Sequence, residues 1–223
     1  MIAAGAGAAP AVRELALRAD RRLLSVAQGE QSMWAWLGGR ERFAVGEIER
    51  VIDSGSHPPG SHPPEGASFP EGVVLAIGEP GWGIEGWRAT HQQAQAALVV
   101  ALRRRESRPA ATRYADVALL ASALKDGLLG RALLEVYIAP LEDSRGSGPG
   151  LLLTLRAYLA SECNASSAAA ALGVARRTVE NRLRTIEERL GRTLHPCPAE
   201  IEVALELDEL AAAPGPPEIP ILE

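Results

Sequence analysis

Arg177, Asn181 and Arg184 are the residues of this chain whose types and spacing best suit a chemistry, the reading of base edges. Arginine forks onto O6 and N7 of guanine, and asparagine onto N6 and N7 of adenine, in the major groove. On a helical wheel of about 100° per residue, with Val179 at zero, Leu183, Ile186 and Leu190 fall within about 40° of it and make a buried stripe. Arg177, Asn181, Arg184 and Glu188 take the opposite side, with Thr178 and Thr185 flanking it as further contact candidates. Arg177 and Asn181, one turn apart near the helix start, are the first candidates for base reading, and Arg184 is the next. Arg176, Thr178, Ser166 and Ser167 suit phosphate contacts. A stripe of leucines with arginine, asparagine and glutamate opposite also describes any solvated helix, so the pattern alone leaves both readings open. Arg182 lies beside the buried stripe and suits an ion pair within the protein, while Glu180 and Glu188 would repel phosphate if they faced it.

Three elements must hold that helix. Leu151–Glu162 reads as an apolar-faced helix. Asn164 is placed to cap the next segment, a short run of small residues from Ser166 that ends at Leu172-Gly173, where the glycine allows positive φ and a sharp turn. Ala175–Leu190 is then the long helix, closed by Gly191. Small residues for a close crossing, a glycine in the turn and an amphipathic second helix are the physical requirements of a helix-turn-helix. After it, Ile201, Val203, Leu205 and Leu207 alternate as in a strand, but Ala, Leu and Glu favour helix, and a helix is expected over Pro198–Leu210.

Upstream, the first nine residues are rich in Ala and Gly and are expected to fray. Val12, Leu15, Ala19 and Leu23 suggest a helix over Ala11–Leu24, and Ser32–Leu37 a strand. Ala44, Ile48, Val51 and Ile52 recur at helical spacing. Residues 54–72 carry five prolines and read as a surface loop. Gly72–Gly78 reads as a buried strand, Pro80–Gly86 as a glycine-rich connection, and Ala89–Arg103 as a helix. Residues 109–113 read as a boundary, followed by helical segments Val117–Leu124 and Leu128–Ile138 split at Gly127, with Pro140 stopping the second. Residues 144–150 read as a hinge-like loop. The fold class is α+β, a small α/β sandwich followed by an all-α helix-turn-helix domain.

Composition narrows the alternatives. Of 223 residues, 47% are hydrophobic, which suffices for a core. The net charge of −5 is unevenly spread: residues 151–195 hold seven arginines against four glutamates, a net of +3, and the remainder carries −8. A basic island in an acidic chain fits a modular nucleic-acid binder, though +3 is also an ordinary surface. No stretch of about 18 uncharged apolar residues suggests a membrane span, and the first residues do not read as a signal peptide. Two cysteines, Cys163 and Cys197, exclude a disulfide framework and a four-cysteine zinc site. They read as plain structural residues of a reduced, cytoplasmic protein.

Other chemistries find little support. His57 and His62 lie in a proline-rich repeat without a carboxylate, a poor metal site, and neither a P-loop nor a dinucleotide fingerprint is present. Trp34, Trp36, Trp82 and Trp87 could line a pocket, but core packing or a partner surface is the more ordinary use. No metal, cofactor or catalytic residue is expected.

The run Leu152, Thr154, Leu155, Tyr158, Leu159; Leu172, Gly173, Val174; Thr178, Val179, Arg182, Leu183, Ile186, Glu187 resembles the C-terminal helix-turn-helix of PucR/CdaR-type transcriptional regulators. That family often has His-Arg-Asn before the threonine, where this chain has Ala175-Arg176-Arg177, and favours Tyr where Asn181 stands. These differences bear on the DNA sequence read, not on the fold. Residues 72–98 resemble the GGDEF-like domain of the same regulators, in which a strand leads to Ile-Gly-x-Pro, a glycine-rich turn and an Ala-rich helix. True GGDEF domains are nucleotide cyclases. Here Gly38-Gly39-Arg40-Glu41-Arg42-Phe43 lacks the acidic third residue and has no earlier strand with a metal-binding Asp, so phosphoryl chemistry is not expected.

The resemblance implies a helical extension over 1–24, a degenerate GGDEF-like domain over 25–108, a helical linker over 109–150, the helix-turn-helix over 151–211 and a disordered acidic tail over 212–223. It also implies a cytoplasmic homodimer on double-stranded DNA, reading two half-sites about one helical turn apart. The family often carries a further N-terminal sensor domain, so a short or truncated member is implied, with its effector unknown. A nucleotide cyclase and a non-DNA-binding dimerisation module are the rival readings.

Overall fold

The computed structural model describes residues 1–40, 46, 48, 51–52, 72–104, 111–142, 148–194 and 199–212. They form an α+β protein in two compact units, the first Met1–Ala121 and the second beginning at Ser122.

The first unit is a five-stranded sheet. Its strands are β1 (Ile2–Ala4), β2 (Arg22–Ala27), β3 (Ser32–Gly38), β4 (Val74–Ile77) and β5 (Ala111–Arg113), ordered β2-β3-β1-β4-β5. β1 lies in the middle, antiparallel to β3 through Ile2↔Trp34 and to β4 through Ile2↔Ala76. The residues expected to fray are therefore among the most buried in the unit. Ile2, Ala3 and Ala4 are small or β-branched and are covered on both faces, which low-complexity composition does not reveal. The segment expected as an N-terminal extension contributes this central strand and helix α1 (Ala8–Arg18). α1 is shorter than its periodicity suggests. Asp20 takes φ 49° and turns the chain, so that Leu23 belongs to β2, which pairs with β3 from Arg22↔Gly38 to Ala27↔Met33.

Strand alternation sends one set of side chains to each face. Met1, Ala3, Met33, Ala35, Leu75 and Ile77 join Val12 and Leu15 of α1 in one core. The other face is covered by α2 (Gly83–Arg103), which packs on β4, β5 and β1 and buries Ala94, Ala97, Leu98 and Ala101. α2 starts six residues before the expected Ala89, taking up Gly83 and Gly86 from the glycine-rich connection. Gly78 is required where β4 meets α2, because a Cβ there would run into the carbonyl of Thr90. The crossover through α2 places β5 parallel to β4, Leu75↔Ala111 to Ile77↔Arg113. Residues 111–113, expected as a boundary, are thus an edge strand of the first unit. Its position is fixed by Arg113, whose guanidinium bonds the Glu79 carboxylate at 3.1 Å.

The four tryptophans do not disperse into the core. Trp34 and Trp36 share a face of β3. Trp36 stacks on Trp87 of α2 at 4.7 Å and 19°, and His91 packs against Trp34 at 4.3 Å. Gly46, Ile48, Val51 and Ile52 are helical, as the spacing predicts, and Ile48 and Ile52 are buried in the α1 core. Ala44, most of the proline-rich loop (54–71), His57 and His62 lie outside the described residues.

The second unit is helical throughout its described residues. α3 (Tyr114–Lys125) leads into it, followed by α4 (Gly127–Leu133) and a π-helical turn, Leu134–Ile138. The expected split at Gly127 is made by Asp126, whose Oδ1 accepts from the amides of Leu128 and Leu129 at 3.0 and 3.2 Å. Then come α5 (Gly148–Ala160), α6 (Ala165–Leu172), α7 (Arg176–Leu190) and α8 (Ala199–Ala212). Gly148–Gly150, expected in a hinge-like loop, are the first turn of α5, while residues 144–147 and the tail from 213 lie outside the described residues. α8 is a helix despite its alternating apolar positions. Ile201, Ala204 and Leu205 fall on one helical face, buried with Tyr137, Leu141, Leu155 and Ile186.

Candidate nucleic-acid interface

Asn164 starts the motif. Its Oδ1 accepts from the amides of Ser166 (2.9 Å) and Ser167 (3.2 Å) and so caps α6, as the sequence suggests. α6 ends at Gly173, which takes φ 64°, a left-handed conformation that glycine adopts without the Cβ penalty. The amide of Val174 then bonds the Ala169 carbonyl at 3.0 Å, and Ala175 in extended conformation begins α7. Ala168, Ala169 and Val179 are buried together between α6 and α7.

α7 is anchored by the expected stripe. Val179 and Ile186 are each 0% exposed, and Leu183 and Leu190 are half-buried around them. Burying side chains of this size stabilises by roughly 1.5–3 kcal/mol each. Gly191 closes the helix at φ 65°. The Glu187 carboxylate accepts from the Leu194 amide at 2.9 Å and ties the following turn back.

The arginines of the basic island divide into two groups. Arg156 of α5 bonds Asp208 and Glu209 of α8, both at 2.8 Å. Arg182 donates to the Thr154 hydroxyl at 3.1 Å, and that buried hydroxyl donates to the Gly150 carbonyl at 2.7 Å. It is a structural residue, though held by a neutral hydroxyl rather than the expected ion pair. Arg189 reaches the Leu141 carbonyl at 3.4 Å. Arg192 bonds the Tyr137 hydroxyl at 2.7 Å and lies 5.0 Å from that ring's centre. Arg176 pairs with Glu180 at 2.8 Å across one turn, both largely exposed. That pair answers the concern that Glu180 repels phosphate, at the cost of partly occupying Arg176. Arg177 and Arg184 remain. Both are exposed, and among the described residues neither side chain has a partner.

Asn181 is exposed as well, its backbone carbonyl accepting from the Thr185 hydroxyl at 3.1 Å. Arg177, Asn181 and Arg184 fall within about 60° of one another on the wheel, opposite the buried stripe. Thr178 and Thr185 are half-buried at its flanks, and Ser166 and Ser167 are exposed at the start of α6. The eight candidate residues thus gather on α6 and α7 of a single unit.

Residues 151–207 match the family described as the PucR C-terminal helix-turn-helix domain. This segment of the chain is a PucR helix-turn-helix domain. In it, α5 is the supporting helix, α6 and α7 are the two helices of the motif, and α8 closes the body. No curated protein matches the chain. A similar solved structure is the crystal structure of a regulator of polyketide synthase expression from Bifidobacterium adolescentis. It is 14% identical, with 94% of this chain and 78% of that chain covered, at a TM-score of 0.39.

The PucR domain also holds one departure from expectation. Cys163, in the turn between α5 and α6, is disulfide-bonded, where a reduced thiol was expected. Pairing depends on proximity in space, which separation along the chain does not disclose. Among the described residues no group of three or more His, Cys, Asp or Glu side chains could hold a metal ion. Among the same residues, no helix is long and apolar enough to cross a membrane.

Proposed function

We propose that the protein is a transcriptional regulator of PucR/CdaR type that binds operator DNA through α7. One observation carries this reading. In a domain of PucR helix-turn-helix type, the exposed face of α7 presents Arg177, Asn181 and Arg184, while the neighbouring arginines Arg156, Arg182, Arg189 and Arg192 are engaged within the protein. Unsatisfied guanidinium and amide groups on one helical face suit bidentate recognition of guanine and adenine. Ser166, Ser167, Arg176, Thr178 and Thr185 are the corresponding phosphate-side and flanking contacts, with the α6 amides beyond the Asn164 cap beside them.

The protein acts as a homodimer in this reading, since a single helix-turn-helix contacts only one half-site. It is not an enzyme, and it works in the cytoplasm. The first unit is a GGDEF-like module. Support for that assignment is local: β4 leads into Ile77-Gly78-Glu79-Pro80, a glycine-rich turn and the Ala-rich helix α2.

The test is a mobility shift on duplexes that the protein selects from a random-sequence library. Arg177→Ala is expected to weaken binding to the selected duplex by about 1–3 kcal/mol and to relax preference at one base position. If replacing Arg177, Asn181 and Arg184 together by alanine leaves affinity and preference unchanged, α7 does not read DNA.

A further inference from the structure

The first unit contains a cavity of about 290 Å³ at the end of the sheet, where the last residues of β3 and β4 meet Met1, just before β1, and the start of α2. Trp36, Trp82 and Trp87 line it together with Met1, Gly38 and Ile77. None of the described residues that line it has a charged side chain, and the Met1 amine, which donates to the Ala35 carbonyl at 2.8 Å, is pushed down to about 5 by burial and is uncharged at neutral pH. We propose that this cavity binds an uncharged, flat aromatic small molecule of one or two rings.

Size, shape and chemistry each support the assignment. The volume lies at the small end of ligand pockets, which run from roughly 300 to 1,000 Å³, so a fused bicycle is about the limit. Trp36 and Trp87 already form a parallel stack at 4.7 Å. Trp82 lines the same cavity, is 65% exposed, and has no ring partner among the described residues. An indole left open beside a stacked pair gains both apolar burial and ring contact when a flat molecule enters, and an aliphatic one of equal size gives only the first. The lining around the rings is glycine-rich, which allows close approach of a planar ligand. α2 begins beside the cavity at Trp82 without a side-chain cap. Its first amides are donors for a ring hydroxyl or carbonyl.

Gly38 supplies a way to block the site. It shares the Trp36 face of β3, and a Cβ there would meet nothing within 4 Å, so a larger side chain can enter the space without displacing backbone.

The experiment is isothermal titration calorimetry of the full chain with 2-naphthol, 2-naphthoate and cyclohexanol. 2-Naphthol is expected to bind one-to-one, and the charged and the non-aromatic probes about tenfold more weakly or worse. Trp82→Ala and Gly38→Leu are expected to weaken 2-naphthol by about tenfold or more, with thermal unfolding of each variant followed alongside. Trp82 is exposed, so Trp82→Ala carries the test if Gly38→Leu fails to fold. No heat with 2-naphthol, binding of 2-naphthoate or cyclohexanol as tight as 2-naphthol, or unchanged binding in Trp82→Ala would each overturn the proposal. None of these outcomes depends on whether α7 reads DNA, which the mobility shift tests separately.

Discussion

Arg182 and Arg184 stand two residues apart on one helix and have opposite tasks. The first turns inward to a buried threonine hydroxyl, and the second points to solvent with no partner among the described residues. Residue type cannot separate them; their angular positions relative to Val179 and Ile186 can, and that much was legible in the sequence. Less legible was His91. Placed against Trp34 and Trp36, its imidazole is held below the ordinary value of 6.5, first by burial and then by the Met1 amine, which burial itself pushes down to about 5. In the unfolded chain the ring takes up its proton at higher pH than in the fold. The contribution to stability is therefore complete above about 6.5 and lost as pH falls from there toward the lower folded-state value. Urea unfolding at pH 7.5 and pH 5.5 should show the parent losing more stability on acidification than His91→Phe, which keeps a ring in the cluster but cannot titrate. Equal losses would mean that the aromatic cluster does not bias the protonation of His91.

Among elements, the C-terminal helices were the most legible because their signals are local. A capping asparagine, a run of alanines, a turn glycine and a stripe at helical spacing each act within a few residues. Asn164 satisfies two amides at the start of α6. Asn164→Ala should therefore cost about 1 kcal/mol of stability, read as a lower denaturant midpoint with unchanged slope, and Asn164→Ser should recover most of it. The elements misread were those whose identity is tertiary. β1 and β5 are three residues each, too short for any periodicity, and they exist because neighbouring strands supply hydrogen-bond partners. α1 ends early because the chain must turn at Asp20 to give β2 a partner in β3. α8, by contrast, is the helix that its Ala, Leu and Glu content predicts, and as a helix it brings Ile201, Ala204 and Leu205 together against Leu155 and Ile186.

Across the molecule, charge is arranged by unit rather than by total. A chain of net −5 carries its arginine-bearing face on α7, and the acidic α8 is in part neutralised by Arg156. Binding to DNA should accordingly weaken steeply with salt, because each neutralised phosphate releases counterions. Arg177→Ala should mainly change base preference. Arg176→Ala should instead lower the salt slope by at most about one and weaken all sequences alike; loss of preference at Arg176 would reverse the two roles. By itself the sequence determined the helix-turn-helix, its cap, its turn and the side of α7 that faces outward, because these follow from interactions between residues a few positions apart. Only the tertiary structure decided that the first residues form a central strand, which arginines are spent inside the protein, and that three tryptophans, from β3, from the residue before α2 and from α2 itself, line one cavity. Those outcomes depend on contacts between segments tens of residues apart, and no local pattern encodes which distant partner a side chain will meet.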